Sequence, residues 1–189
     1  MSETLPSSAE VVVVGGGNAA LCAALAAAEH GASVLVLERA PENEAGGNSR
    51  FTAGAFRCVY NGVDDLRALM PDLTDDEAAK SDFGAYAEEK FFDDMGRVTE
   101  YRTDPDLCEV LVKRSKETLL WMRGKGVRWI PMFKRQSYMV NGVQHFFGGM
   151  AVEAVGGGGG IGVTSIPSTL GSFRSSKISF GGSKGDLPL

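Results

Sequence analysis

The hexapeptide Gly15-Gly16-Gly17-Asn18-Ala19-Ala20 fits the spacing G-x-G-x-x-G/A and stands between a valine run and an alanine-rich segment. Each small residue has a task at such a turn. Gly15 permits a tight strand-to-helix bend, Gly17 leaves bare backbone for a pyrophosphate to approach, and Ala20 lets the helix pack close to the strand. The N–H groups of the first helical turn, at Asn18 and Ala19, then face the phosphates, and the helix dipole adds to the attraction. Glu38 closes the next apolar run, eighteen residues after Ala20. A carboxylate there accepts hydrogen bonds from ribose hydroxyls and disfavours a 2′-phosphate, which argues against NADP even with Arg39 beside it. The chemistry these residues suit is dinucleotide binding.

A second small-residue segment, Ala45 to Ala55 (AGGNSRFTAGA), follows soon after Glu38. Its bare backbone and hydroxyls could run along a pyrophosphate and reach a flavin ring, whereas an NAD domain would more often move to a second helix here. The residues alone leave three readings in competition: an FAD-binding oxidoreductase, an NAD-dependent dehydrogenase domain, and a nucleotide-binding module without turnover.

The elements that must hold these residues are legible. Residues 10–15 (EVVVVG) and 33–38 (SVLVLE) predict two buried parallel strands, with a helix over 17–30 between them and Gly31 past its end. Together they make one right-handed βαβ unit. Residues 39–62 read as mostly loop. Residues 64–100 hold twelve Asp or Glu against four Lys or Arg. There Thr74 with Asp75, Asp76 and Glu77 predicts a helix start, followed by a stripe of Ala79, Phe83, Tyr86, Ala87 and Phe91. Thr103-Asp104-Pro105 opens a further helix whose apolar positions are Leu107, Val110, Leu111, Thr118, Leu119 and Met122. Val127 to Ile130 is a strand closed by Pro131, and Asn141-Gly142 predicts a hairpin over Tyr138 to Phe147. Residues 1–9 read as a flexible terminus and 161–189 as a Ser- and Gly-rich, disordered tail.

Composition removes other classes. The 189 residues carry 19 Lys and Arg against 24 Asp and Glu, a net charge of −5, which argues against a nucleic-acid partner. The three cysteines are scattered, with no C-x-x-C pair, so no metal site is expected and a reducing, cytoplasmic setting suits them. The uncharged stretch Val11 to Ala28 is broken by its glycines and reads as strand plus helix rather than a membrane span. His30 suits a helix C-terminus. His145 stands between Gln144 and Phe146-Phe147 and reads as a packed structural histidine rather than a substrate ligand.

The run VVVVGGGNAALCAALAAAEHGASVLVLERA, followed by GGNSRFTAGAFR, resembles the FAD-dependent fumarate reductase and succinate dehydrogenase flavoproteins. TDPDLCEVLVKRSKETLLWMRGKGVRW and NGVQHFFGGMAVEAVGGG look closest to the tricarballylate dehydrogenase branch. The resemblance covers residues 10–160 and implies the N-terminal part of a Rossmann-like α/β FAD-binding domain, incomplete in itself. It implies that Gly15, Gly17 and Ala20 hold the pyrophosphate and Glu38 the adenosine ribose. Gly47, Asn48 and Ser49 would contact the flavin side, with Ala53 and Gly54 close to the ring. Covalently flavinylated members carry a histidine where Gly-Asn-Ser stands here, so the FAD is expected to be noncovalent. The implied reaction is hydride transfer between flavin N5 and a small di- or tricarboxylic acid, with a membrane-associated or soluble electron acceptor. The catalytic arginines that clamp carboxylates are expected downstream. Of the local cations, Arg123, Arg128, Lys134 and Arg135 show no clamp-like spacing, so the chain as given is expected to lack turnover.

Overall fold

Four successive β-branched residues followed by three glycines favour an extended run that ends in a turn. The computed structural model describes residues 8–157 and 178–180. Its elements are β1 (Val11–Val14), α1 (Asn18–Glu29), β2 (Val34–Glu38), β3 (Ala55–Phe56), β4 (Tyr60–Asn61), α2 (Val63–Leu69), α3 (Asp75–Ala79), β5 (Ser81–Asp82), β6 (Ala85–Tyr86), α4 (Glu88–Thr99), α5 (Pro105–Gly124), β7 (Trp129–Pro131), β8 (Ser137–Val140), β9 (Val143–Phe146), β10 (Val152–Ala154) and β11 (Ile178–Phe180). Two 3-10 turns, Glu42–Glu44 and Gly47–Phe51, lie in the segment after β2. The chain divides into two compact units, one containing the residues up to Thr52 together with β11, the other Ala53–Gly157.

The first unit is the expected βαβ crossover. β1 pairs parallel with β2, Val11 opposite Val34 and Val14 opposite Leu37, and β11 adds a third parallel strand on the far side of β2. Ala24 of α1 packs on Val34 and Val36, with Val11, Val13, Ala27, Ala28 and Ala32 around them. An alanine-rich helix face allows this close approach. Gly31, at φ +84°, turns the chain out of α1 as expected. One expectation fails: β1 is not buried on both faces. Val12 and Val14 are 52% and 82% exposed, because Val11 and Val13 take the face that packs on α1 and their alternates point to the opposite face. The expectations for 161–189 and 1–9 fall outside the described residues, apart from β11 and residues 8 and 9.

The second unit packs α2, α4 and α5 with short strands. Leu66, Leu69, Met70, Val112, Leu119, Met122, Trp129 and Val152 form its interior. β10 lies between β3 and β7, antiparallel to both. The predicted hairpin is present as β8 and β9, with Asn141 and Gly142 at φ +50° and +81°. That pair of left-handed residues is the geometry an Asn-Gly two-residue turn requires.

Three sequence expectations are corrected here. The stripe from Ala79 to Phe91 is not one helix. Thr74 does form the capping box with Glu77, but α3 stops at Ala79, and β5 and β6 intervene with Gly84 at φ +60° between them. Phe83, Tyr86 and Phe91 are buried nonetheless, reached from two strands and α4. On α5 the buried face is Cys108, Val112, Ser115, Leu119 and Met122. Leu107, Val110 and Leu111 point outward, so the buried face of the N-terminal half lies one position along from the expected one. The β7 strand starts two residues later than expected and includes Pro131, whose missing N–H costs nothing at a strand end.

Asp104 caps α5: its carboxylate accepts the Leu107 N–H at 3.0 Å, with Pro105 in the first turn. Asp104→Ala is expected to lower stability by about 1 kcal/mol. Urea unfolding checks it, and an unchanged midpoint would show the cap to be idle.

Among the described residues no helix is long and apolar enough to cross a membrane. None of their His, Cys, Asp and Glu side chains gather in groups of three or more that could hold a metal ion.

Candidate functional site

The turn between β1 and α1 continues the strand ladder before it breaks away. The Gly15 N–H donates to Leu37 at 2.7 Å, and Gly15 itself sits at φ +111°, a conformation that side chains rarely adopt. Gly16 is buried. A Cβ on it would stand 2.6 Å from Oε2 of Glu38, so the missing side chain is what lets that carboxylate fold back over the turn. Gly17 is the N-cap of α1 in extended conformation and offers no side-chain cap. Helix first turns leave N–H groups without intrahelical partners. The N–H of Asn18 is met from 31 residues away by Oγ of Ser49, at 3.0 Å. Asn18 and Ala20 are half-buried and Ala19 is exposed.

Glu38 does more than its position at the strand end implies. Its Oε1 accepts the Ala40 N–H at 2.9 Å. The carboxyl is held below the usual range chiefly by that hydrogen bond, against a smaller opposing effect of burial, with the N–H groups of Gly16, Arg39 and Gly46 also contributing. One carboxylate thus gathers backbone from the Gly-rich turn, from the residues after β2 and from the start of the second loop. Sequence reasoning missed this, since backbone donors have no signature in residue type. Arg39 is exposed.

The second loop is ordered by two left-handed glycines, Gly46 at φ +108° and Gly47 at +53°. They lead into the 3-10 turn Gly47–Phe51, closed where Thr52 Oγ1 donates to the Ser49 carbonyl at 2.8 Å. The Arg50 guanidinium donates to the Asn43 carbonyl. Gly47 and Asn48 are exposed and Ser49 half-buried. A Cβ on Gly17 would lie 3.4 Å from the Gly46 carbonyl oxygen and 3.5 Å from Ser49 Oγ. The bare Gly17 backbone and the second loop therefore lie against each other at the positive end of α1, where the Ser49 hydroxyl meets the Asn18 N–H and the Gly46 carbonyl oxygen stands beside Gly17. A helix N-terminus with bare glycine backbone, and the Glu38 carboxylate nearby for hydroxyls, fits a dinucleotide.

The first unit brings together Gly15, Gly17, Asn18, Glu38 and Ser49. Ala53 and Gly54 open the second unit. Ala53 is at φ +59° and Gly54 at φ +73°. A Cβ on Gly54 would meet the Gly157 carbonyl carbon at 2.7 Å, and the Gly54 carbonyl accepts the Ala154 N–H at 2.8 Å. Close backbone packing is thus a sufficient reason for glycine there.

His145 is not packed in a core. Its side chain is about one-third exposed, with Nδ1 3.1 Å from an Asp82 carboxylate oxygen and its ring stacked on Tyr138. Its partners lie on β5, a strand that the helical stripe expected over 79–91 did not contain, and on β8, the other strand of the expected hairpin. The cations near the hairpin do not converge: Arg128 pairs with Asp72 at 2.7 Å, and Arg123 donates to the Ala68 carbonyl.

The fold and turn define a dinucleotide-binding βαβ unit, and comparison settles which dinucleotide family it is. The family described as FAD binding domain matches residues 10–157, more than three-quarters of the chain. The chain belongs to that family of FAD-dependent flavoproteins, and FAD rather than NAD is its cofactor.

Among solved structures, the open conformation of a flavocytochrome c3 fumarate reductase is similar at 23% identity and a TM-score of 0.55, over 93% of this chain and 27% of that one. A 3-ketosteroid delta1-dehydrogenase from Sterolibacterium denitrificans, in complex with 1,4-androstadiene-3,17-dione, is similar at 18% identity and a TM-score of 0.53, over 79% and 23%. These likenesses show the fold. The chain spans about a quarter of the length of either structure. No curated protein sequence matches it.

Proposed function

We propose that this chain is the cofactor-holding part of an FAD-dependent oxidoreductase acting on a small di- or tricarboxylic acid, of the tricarballylate dehydrogenase type. The observation that carries the reading is the bare Gly17 backbone at the start of α1 with the second loop brought against it, the Ser49 hydroxyl 3.0 Å from the Asn18 nitrogen. Gly15, Gly17 and Ala20 hold the pyrophosphate, with the N–H groups of Asn18 and Ala19 turned toward it. Glu38 takes the adenosine ribose through the oxygen not engaged by Ala40, and Arg39 flanks it at the surface. Gly47, Asn48 and Ser49 contact the flavin side, with Ala53 and Gly54 toward the ring. The absence of histidine from residues 45–55 supports noncovalent attachment.

Bound FAD supplies two-electron chemistry at a carbon–carbon bond next to carboxylates. What this chain contributes is binding and orientation: donors for the phosphates, a carboxylate for the ribose, and apolar packing of α1 on β1 and β2 behind them. A soluble or membrane-associated electron acceptor completes the turnover.

The test is a visible absorbance spectrum of the purified chain with FAD, then anaerobic addition of tricarballylate or succinate to the whole enzyme. A bound-flavin spectrum bleached by these acids is the expected result. Flavin that stays oxidised with every small carboxylic acid would remove the substrate class.

Glu38→Ala is expected to weaken FAD binding about ten- to a hundredfold, since a hydrogen bond to a charged group contributes roughly 1.5–3 kcal/mol. Flavin fluorescence quenching measures it. An unchanged dissociation constant would leave Glu38 with its loop contacts only.

A further inference from the structure

Arg57 follows β3 in the second unit, and its side chain is 28% exposed. A guanidinium carries five N–H donors in a planar fork and stays charged in proteins. The carboxylate it faces, Asp94, is 3.9 Å away, beyond hydrogen-bond reach. Asp94 is already engaged: it accepts the Tyr86 hydroxyl at 2.8 Å and Arg97 at 3.1 Å, with Lys90 at 3.6 Å. Three cations share one buried carboxylate, and Arg57 is the most distant of them. The Tyr86 ring lies under its guanidinium, 5.7 Å from centroid to Cζ, and fixes it from behind.

The other side of Arg57 faces a turn of two glycines. Gly148 and Gly149 stand at φ +69° and +71°. A Cβ on Gly148 would lie 3.8 Å from Nη2 of Arg57 and 3.5 Å from Oε1 of Gln136. A Cβ on Gly149 would strike the Tyr86 ring at 2.4 Å, so only glycine allows the turn to lie this close. Backbone N–H groups exposed in turns can bind anions. Among the described residues neither N–H has a hydrogen-bond acceptor. Arg57, held by the Tyr86 hydroxyl and by Asp94 at 3.9 Å, keeps donors of its five to spare, and it stands near two glycine N–H groups that have no acceptor among the described residues.

We propose that Arg57 and the N–H groups of Gly148 and Gly149 form a carboxylate-binding subsite. The fork of Arg57 matches the two oxygens of a carboxylate, and the glycine N–H groups supply the donors that a point charge lacks. Only the further step of taking that carboxylate as the substrate's rests on the function proposed above.

The test is an amide NMR titration of the full chain, with and without FAD. The probe is sodium succinate, with succinamide as the uncharged analogue and inorganic phosphate as a second anion. Succinate is expected to shift the Gly148 and Gly149 amides to saturation, while succinamide leaves them in place. Arg57→Gln is expected to raise the succinate Kd at least tenfold without changing FAD affinity. Arg57→Lys keeps the charge but not the fork, and is expected to recover only part of that loss. An unchanged Kd in Arg57→Lys overturns the fork, and it is read in place of Arg57→Gln if that variant loses its dispersed spectrum. Phosphate binding as tightly as succinate overturns the carboxylate assignment. FAD binding without any succinate shift overturns the subsite alone, whereas a succinate shift in a chain that never binds FAD overturns the function proposed above alone.

Discussion

Gly17→Val abolishes flavin binding and leaves the fold in place: that is the largest functional effect expected of any single change in the first unit. Gly17 is extended at φ −79°, a backbone that valine adopts without strain. The first added carbon fits, at 3.4 Å from the Gly46 oxygen and 3.5 Å from Ser49 Oγ. The two methyl groups beyond it then cover the bare backbone at the helix N-terminus, where a pyrophosphate must come close. The Kd for FAD is expected to rise at least a hundredfold, about 2.7 kcal/mol. Fluorescence quenching reads the binding and far-ultraviolet circular dichroism the fold. A valine variant that binds FAD like the parent would place the pyrophosphate somewhere else.

The largest stability effect is expected from Trp129→Ala in the second unit. Trp129 is 1% exposed and sits on β7 opposite Ala154 of β10. Its ring meets Phe56 edge-on at 5.0 Å between centroids, and its indole N–H donates to the Leu119 carbonyl at 3.0 Å. Truncation removes this packing from strand and helix together and takes away the second donor of the Leu119 carbonyl, which keeps its place in the α5 ladder. A loss of roughly 3–5 kcal/mol is typical for a buried tryptophan. Trp121 remains as a fluorophore, partly buried beside Lys125, so urea unfolding can still be followed. A loss below about 1 kcal/mol would mean that the second unit does not depend on this contact.

How much could be read from residue types follows a physical divide. The βαβ unit was legible because Val11 to Val14 and Val34 to Leu37 are unbroken apolar runs and the glycines between them have one common use. The Asn141-Gly142 hairpin and the caps at Thr74 and Asp104 were legible because short-range chemistry decides them. The segment 74–91 was not, because Phe83, Tyr86 and Phe91 fall at helical spacing by coincidence while pairing with β4 and β9 makes strands of their neighbours. On α5, Leu107 and Cys108 compete for the buried face, and only the partner helices decide between them. At the site, Glu38 could be named from its position and Ser49 from the family resemblance, but not their hold on backbone N–H groups. Arg57 gave no signal, since a lone arginine after a strand matches no motif.

The three cysteines end up distributed in a way that makes the chain its own reporter. Cys58 and Cys108 are buried in the second unit, with burial pushing the Cys58 thiol up to about 12, while Cys22 is half-buried on α1 in the first. A thiol so far from ionisation does not react with an alkylating reagent until the structure around it opens. The labelling rate at Cys58 therefore measures how often the second unit unfolds, and the rate at Cys22 measures breathing of the nucleotide-binding helix. Comparing the rates with and without FAD would tell whether the cofactor quiets one unit or both, with no probe added to the sequence.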